Sequence, residues 1–382
     1  MTDTILVINA GSSSVKFSLF DLQSSLKLLV TGEVSDIGAT PSFKGTVESS
    51  GATDKNTLLA ASTHEDALKH ILDWIKARKH GEIAIAAHRI VHGGTIFRAP
   101  VIVTPAIEEQ LRALTPLAPL HQPHNLAPID ILKKLKPGMP QVACFDTSFH
   151  AGHDPLFSVY ALPQNLRDKG IRRYGFHGLS YEWIAQVLKR DHADLAKGRV
   201  IAAHLGNGAS LCAIKDGVSI DTTMGMTALE GLPMGTRCGA LDPGAIIYMI
   251  RDLKISPADA EHILYNDSGL KGLSGLTNDV KSLQESTDPK AGFALDYFSL
   301  RIAQFMGMMA VALGGVDAIV FTGGIGENAV NVRKNILKRL LFLNPFETLV
   351  IPANEERIIA QHGARLIIQQ CEIPHQHIRR SR

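Results

Sequence analysis

Thr4-Ile5-Leu6-Val7-Ile8-Asn9-Ala10-Gly11-Ser12-Ser13-Ser14-Val15-Lys16-Phe17-Ser18-Leu19-Phe20 reads as two strands joined by a polar turn. The entering run, Ile5 to Ile8, is apolar throughout. The leaving run alternates Val15, Phe17 and Leu19 with Lys16 and Ser18, the pattern of a strand with one buried face. The tip is small and rich in donors. Serine hydroxyls, the backbone N–H groups around Gly11 and the Lys16 ammonium suit a phosphate, although the same residues also make an ordinary hairpin turn.

The design recurs half a chain later, where Val200 to Leu205 enters Gly206-Asn207-Gly208 and Ala209 to Ile214 leaves it. Placing Gly206 on Gly11 puts Asn207 on Ser12 and predicts exit strands in register. Two such hairpins suggest a duplicated domain, each half offering a phosphate-facing turn to a shared cleft; a chance likeness is the alternative. A length of 382 residues also favours two domains.

Composition narrows the partners. Lys plus Arg (39) nearly balances Asp plus Glu (37), so nothing recommends nucleic acid or an anionic membrane as the main partner. Cys144, Cys212, Cys238 and Cys371 lack CxxC or metal-ligand spacing, which predicts reduced thiols in a cytoplasmic protein. No signal peptide or apolar run of membrane length is read in the chain.

Further strands are expected at 27–34, 43–48, 83–87 and 141–145, with helices near 64–79, 105–115, 125–136, 181–190, 243–253, 257–264, 290–313 and 329–341. Ser62 with Glu65 gives a capping-box spacing for the helix at 64. Strand 83–87 is read as ending in the polar cluster His88-Arg89-Ile90-Val91-His92-Gly93-Gly94. The prolines of 115–123 predict a rigid loop. Gly323 to Asn328 is read as a glycine turn between strand and helix, a geometry that favours anions. A GxxxxGK[ST] loop is absent, which excludes a P-loop. The GxGxxA spacing at 324–329 lies near the C-terminus instead of opening a βαβ unit and is weak support for a dinucleotide site.

Taken in order, NAGSSSVKFSLF, HRIVHGG, APLHQP, FDTSFH, RRYGFHGLS, HLGNGAS, GMTALEGLPMGTRCG, FTGGIGEN and PANEE resemble the acetate kinase family, in the superfamily of sugar kinases, Hsp70 and actin. The resemblance implies an α/β fold of two duplicated actin-like (ribonuclease H-like) domains around a central cleft. It implies an N-terminal domain over 1–146 plus 356–382 on the acyl-substrate side and a C-terminal domain over 147–355 on the nucleotide side. The implied reaction is reversible phosphoryl transfer from ATP to acetate, giving acetyl phosphate and ADP, with Mg²⁺ (or Mn²⁺) and a homodimer as the assembly.

Residues and resemblance point to the same chemistry. A carboxylate acceptor is already ionised at neutral pH, so transfer needs no strong base; it needs cations, donors and alignment. Arg89 and Arg237 supply guanidinium forks that match carboxylate and phosphoryl oxygens, although each read alone is an ordinary salt-bridge residue. The resemblance assigns Arg89 to the acyl substrate and Arg237 and His177 to the transition state. Read alone, His177 is as well a structural hydrogen-bonder. His121 is a weaker candidate of the same kind, and Asp146 an active-site acid or a turn cap.

By the same resemblance, Val91, Leu120 and Phe176 line the acyl pocket. Ser12, Ser14 and Lys16 place phosphate. His204, Leu205, Gly206, Asn207 and Gly208, then Asp279, Val280 and Lys281, then Gly324, Ile325, Gly326, Glu327 and Asn328, hold ATP. Asn9 and Glu355 organise the metal; without the resemblance Glu355 is a first-turn helix residue. GGIGEN favours a nucleoside triphosphate over pyrophosphate as donor.

Four positions depart from the family pattern: Tyr181 for histidine, Ala240 for aspartate, Lys281 for arginine and Ala228 for a proline that walls the acyl pocket. The last leaves propionate open as a substrate, since one methylene is worth only ~1–3 kcal/mol of discrimination. The reading from another class is a non-catalytic ATP-switched module of the actin or Hsp70 sort. Arg89, His177 and Arg237 together argue against it, because a nucleotide switch has no use for an acyl pocket.

Overall fold

β1 (Asp3–Ala10) is apolar on both faces because both are covered. Leu6 and Ile8 pack into a core with Leu68 and Ile71 of helix His64–Ala77 and Ile131 of helix Gln122–Leu135. On the other face, Ile5 Cδ1 lies 2.4 Å from where a Cβ at Gly363 would stand, so only glycine lets helix Glu355–Glu372 approach so closely. These relations come from a computed structural model that describes residues 3–23, 25–58 and 63–372, the side chains of 368–372 excepted.

The chain divides into two compact units, Met1–Ser148 with Asn354–Arg382 and Phe149–Ala353. Glu355 therefore belongs to the first unit, whereas the sequence places the return to that domain at 356. In the first unit, β2 (Val15–Asp21), β3 (Leu28–Ser35), β4 (Ser42–Val47), β5 (Ala52–Thr57), β6 (Glu82–Ile90), β7 (Val101–Ile102) and β8 (Gln141–Phe145) join β1 in the order β5-β4-β3-β2-β1-β6-β8-β7. In the second, β9 (Arg199–Leu205), β10 (Ala209–Lys215), β11 (Val218–Thr222), β12 (Ala318–Thr322) and β13 (Glu347–Val350) take the order β11-β10-β9-β12-β13.

The central five strands of the two sheets have the same connectivity. In β3-β2-β1-β6-β8 and in β11-β10-β9-β12-β13, two antiparallel pairings are followed by two parallel ones. The expected actin-like duplication is thus present in the topology of each unit. Helices also cover matching faces. Helix Gly178–Asp191 packs Tyr181, Ile184 and Leu188 against Val200, Ala202, Cys212 and Val320, while helix Pro289–Leu313 covers the opposite face of β9, β10 and β11.

Several expectations are corrected. The first turn holds four residues between the Ala10–Val15 pair, closed by Gly11 N donating to Ser14 O at 2.8 Å. The second holds three between the Leu205–Ala209 pair, closed by Gly206 N to Gly208 O at 3.0 Å, so the exit strands are offset by one residue. His88 and Arg89 lie inside β6 and not in a loop beyond it. The proline-rich stretch is partly helical, with Pro123 in the first turn of helix Gln122–Leu135 and Pro128 inside it. Gly323–Asn328 is itself a short helix, followed by Val330–Lys338. Ser62 lies outside the described residues; the capping box is formed by Thr63 and Asp66. The edge strands β5, β7, β11 and β13 were not read from the sequence. Among the described residues no helix is long and apolar enough to cross a membrane. Cys144, Cys212 and Cys238 are in no disulfide, and the Cys371 side chain lies outside the described residues.

Candidate active site

In the first unit, β6 lies between and parallel to β1 and β8, so the C-terminal ends of three strands bring Asn9, Arg89 and Asp146 together. Such strand ends are where open α/β sheets hold ligands. Asp146 binds the Arg89 fork on two nitrogens: Nε donates to Oδ1 at 2.9 Å and Nη2 to Oδ2 at 2.6 Å. Nη1 donates to Asn9 Oδ1 at 3.3 Å, and Glu355 Oε2 lies 3.9 Å from Nε. Burial opposes charge on Arg89, yet the carboxylates of Asp146 and Glu355 hold its pKa above the ordinary value. Burial raises the Glu355 pKa, with the Asp146 charge adding to it against Arg89 and Lys16, and burial and Glu355 raise that of Glu356. Three buried or half-buried carboxylates thus lean on one guanidinium.

Lys16 is exposed and pairs across the ladder with Asn9, which puts both on one face of the hairpin. Ser12 is exposed at the tip and Ser14 half-buried. His64 Nε2 contacts Gly11 O at 2.8 Å and anchors the turn. Asn125, which the sequence reading missed, ties two parts of this unit together: its Nδ2 donates to Ala10 O at 2.6 Å and its Oδ1 accepts from Val91 N at 2.9 Å. Val91 is buried and Leu120 is 45% exposed, with His121 at the start of helix Gln122–Leu135. Burial lowers the His92 pKa to about 4, so that imidazole is neutral.

In the second unit, His177 precedes helix Gly178–Asp191 with φ 58°, a left-handed conformation that turns its ring toward β9 and β10. Its imidazole stacks on that of His204, with centroids 4.3 Å apart, and its Nδ1 lies 2.8 Å from Ser210 Oγ. A Cβ added at Gly208 would stand 3.3 Å from His177 Nε2 and 3.7 Å from Arg237 Nη1. The turn glycine therefore marks where histidine and arginine converge. Arg237 Nη1 donates to Ala228 O at 3.0 Å, and Gly235 N to Asn207 O at 3.2 Å, which pins the arginine loop to the turn. Phe176 is buried; its carbonyl lies 3.0 Å from His150 Nε2.

Three separated segments also close a cavity of about 540 Å³ in this unit, within the usual range for small-molecule sites. Of the expected ATP residues, Gly206, Asn207, Asp279, Val280, Lys281, Gly324, Ile325 and Asn328 line it, together with Asn278, Gln284 and Ala329, which the sequence reading missed. His204, Leu205, Gly208, Gly326 and Glu327 do not line it. Glu327 Oε1 instead accepts from Gly323 N at 3.0 Å and Ala353 N at 2.9 Å, holding the short helix to the segment after β13. Asp279 caps helix Val280–Glu285, accepting from Ser282 N at 2.8 Å.

Duplicated actin-like α/β units, a cavity of small-molecule size in one and a guanidinium–carboxylate cluster in the other, fit the class of phosphotransferases with a carboxyl group as acceptor. The acetokinase family model matches residues 4–372, and the chain belongs to that family. The acetate kinase of Nitrobacter hamburgensis is 43% identical, over 99% of this chain and 99% of its own. A propionate kinase structure from Francisella tularensis matches with a TM-score of 0.90 at 36% identity, covering 95% of this chain and 99% of its own. The acetate kinase structure from Porphyromonas gingivalis matches at 0.86 and 34%, covering 96% and 100%.

Proposed function

We propose that this chain transfers the γ-phosphoryl group of ATP reversibly to acetate. A carboxylate oxygen forms a bond to the γ-phosphorus as the bond to the β,γ-bridging oxygen breaks, giving acetyl phosphate and ADP. The observation that carries the reading is the cavity built from residues 206–207, 278–284 and 324–329 on a chain of the acetokinase family. ATP occupies that cavity. His177 and Arg237, which meet at Gly208, donate to the transferring group, where charge-stabilising donors have their largest effect.

Arg89 anchors the acid. Because Asp146 already engages its Nε and Nη2, the edge nearest Asn9 is the one left to meet the substrate, and Asp146 acts as a positioning residue. Val91, Leu120 and Phe176 supply apolar lining, His121 a further donor, and Ser12, Ser14 and Lys16 place phosphate oxygens. Asn9 and Glu355 offer the hard oxygens that Mg²⁺ or Mn²⁺ prefers, and the raised pKa values of Glu355 and Glu356 mark a site short of positive charge. Among the described residues no three His, Cys, Asp or Glu side chains cluster to hold a metal alone, as suits an ion that keeps waters and phosphate oxygens as ligands. The ion would supply neutralisation of phosphate charge.

We also infer a cytoplasmic homodimer. Cys144, Cys212 and Cys238, none of them in a disulfide, support the compartment, and the apolar helix Pro243–Arg251, with Ile247 and Tyr248 more than half exposed, supports self-association. Trapping acyl phosphate with hydroxylamine in the presence of ATP, Mg²⁺ and acetate, propionate or butyrate tests the function. Acetyl hydroxamate is expected; no hydroxamate from any acid would overturn it. Ala228 keeps propionate as the second reading, and a larger kcat/KM for propionate than for acetate would establish it.

A further inference from the structure

Two serines outside the expected site hold the two stacked histidines, and they do so reciprocally. Ser180, on the helix that His177 starts, lies 2.8 Å from Nδ1 of His204 on β9. Ser210, on β10 directly across the ladder from His204, lies 2.8 Å from Nδ1 of His177. The Ser210 hydroxyl is shared a second time, with the phenol of Tyr181 at 2.5 Å. Tyr181, Ser180 and Ser210 are all fully buried.

A serine hydroxyl has one proton to give. If His177 Nδ1 carried the hydrogen, Ser210 would either donate to the tyrosine oxygen, although a phenol is the stronger acid of the two hydroxyls, or accept from both groups and leave its own buried hydrogen without an acceptor. In the opposite arrangement Tyr181 donates to Ser210 and Ser210 donates to His177 Nδ1. The second ring nitrogen, Nε2, then carries the hydrogen, and Nε2 is the atom turned toward Gly208 and the Arg237 guanidinium. The hydrogen-bond partner of one imidazole nitrogen thereby decides the state of the other.

We propose that Tyr181 and Ser210 are positioning residues that fix His177 as the Nε2–H tautomer, so that it donates to the transferring phosphoryl group. The proposal rests on the kinase reading for its kinetic consequence but not for the tautomer. The test is nitrogen-15 NMR of histidine-labelled protein, with the His177 signals assigned by their loss in His177→Gln. A pyridine-type Nδ1 and a pyrrole-type Nε2 are expected in the natural chain, with Ser210→Ala losing or exchanging that pattern. A pyrrole-type Nδ1 in the natural chain overturns the proposal, as does a Ser210→Ala pattern identical to it.

In the acyl-phosphate assay, Ser210→Ala should lower kcat at least about 10-fold with the KM values for ATP and acetate moving less than about 3-fold. Tyr181→Phe should give a smaller fall, about 3-fold, since Ser210 still reaches the ring. A Ser210→Ala loss confined to KM overturns the role. Far-ultraviolet circular dichroism and the thermal midpoint of each variant check folding, and the conservative Tyr181→Phe keeps the test open if Ser210→Ala unfolds. A chain that makes no acyl phosphate would sink the kinase reading and leave the NMR result standing.

Discussion

The turns after β1 and after β9 occupy the same place in the same topology, yet one is four residues long and the other three, and their surroundings differ in kind. The first is exposed serine and lysine beside a guanidinium that shares several carboxylates. The second is glycine and asparagine beside two stacked imidazoles and an arginine bonded to a carbonyl. Duplication preserved the strand order and left the turn chemistry free to diverge. In the function proposed here the first half holds an anion in a charge-balanced frame, and the second donates to the group being transferred.

The harshest way to break the first side is Arg89→Ala. It strips the buried Asp146 carboxylate of its ion-pair partner, an operation that costs about 3–5 kcal/mol, so the thermal midpoint should drop clearly. Acyl-phosphate formation should fall on the order of 10²-fold or more in the same preparation. An unchanged midpoint would mean the pair is worth little.

A glycine swap separates the two turns directly. Gly208→Ala places a methyl against His177 and Arg237 and should lower kcat about 10-fold or more, since small misplacements of catalytic groups are costly. Gly11→Ala meets only Ser14, with Oγ 3.4 Å away, and should stay within about 3-fold. Equal losses would erase the proposed division of labour.

The carboxylates of the first side make a pH-dependent claim. Glu355 and Glu356 have folded pKa values above the ordinary carboxylate value, chiefly through burial. Their stabilising contribution is fully present below that ordinary value and is lost as pH rises through the raised one, where the charges become unfavourable. A divalent cation should therefore raise the thermal midpoint more at pH 7.5 than at pH 5, with affinity changing by at most about tenfold per pH unit for each proton displaced. A Mg²⁺-induced shift independent of pH would remove these groups from the proposed metal site. The smallest effect is expected from Lys281→Arg, which restores a guanidinium in the cavity and should lower the KM for ATP by about 2- to 3-fold.

Much of the frame was legible because burial leaves a periodic trace. Ile5 to Ile8 and Val200 to Ala203 read as central strands, and the two glycine turns gave away the duplication. Turn length was not legible: which backbone N–H closes onto which carbonyl is decided by the ladder, and it shifted the second exit strand by one residue. β5 escaped because every residue in it is exposed, so no alternation marks it. Arg89, Asp146, His177 and Arg237 could be singled out by motif, whereas Asn125, Ser180 and Ser210 could not. Each is a common polar residue whose role comes from partners distant in the chain, and local sequence carries no sign of them.

The most direct test of the account is a single-turnover acid-quench measurement with γ-labelled ATP and acetate, run on the natural chain and on Arg237→Ala. The natural chain should form labelled acetyl phosphate, and the variant should form it on the order of 10³-fold more slowly, with ATP affinity from calorimetry changed only a few-fold. No labelled acetyl phosphate from the natural chain, or a loss of ATP affinity as large as the loss of rate, would contradict it.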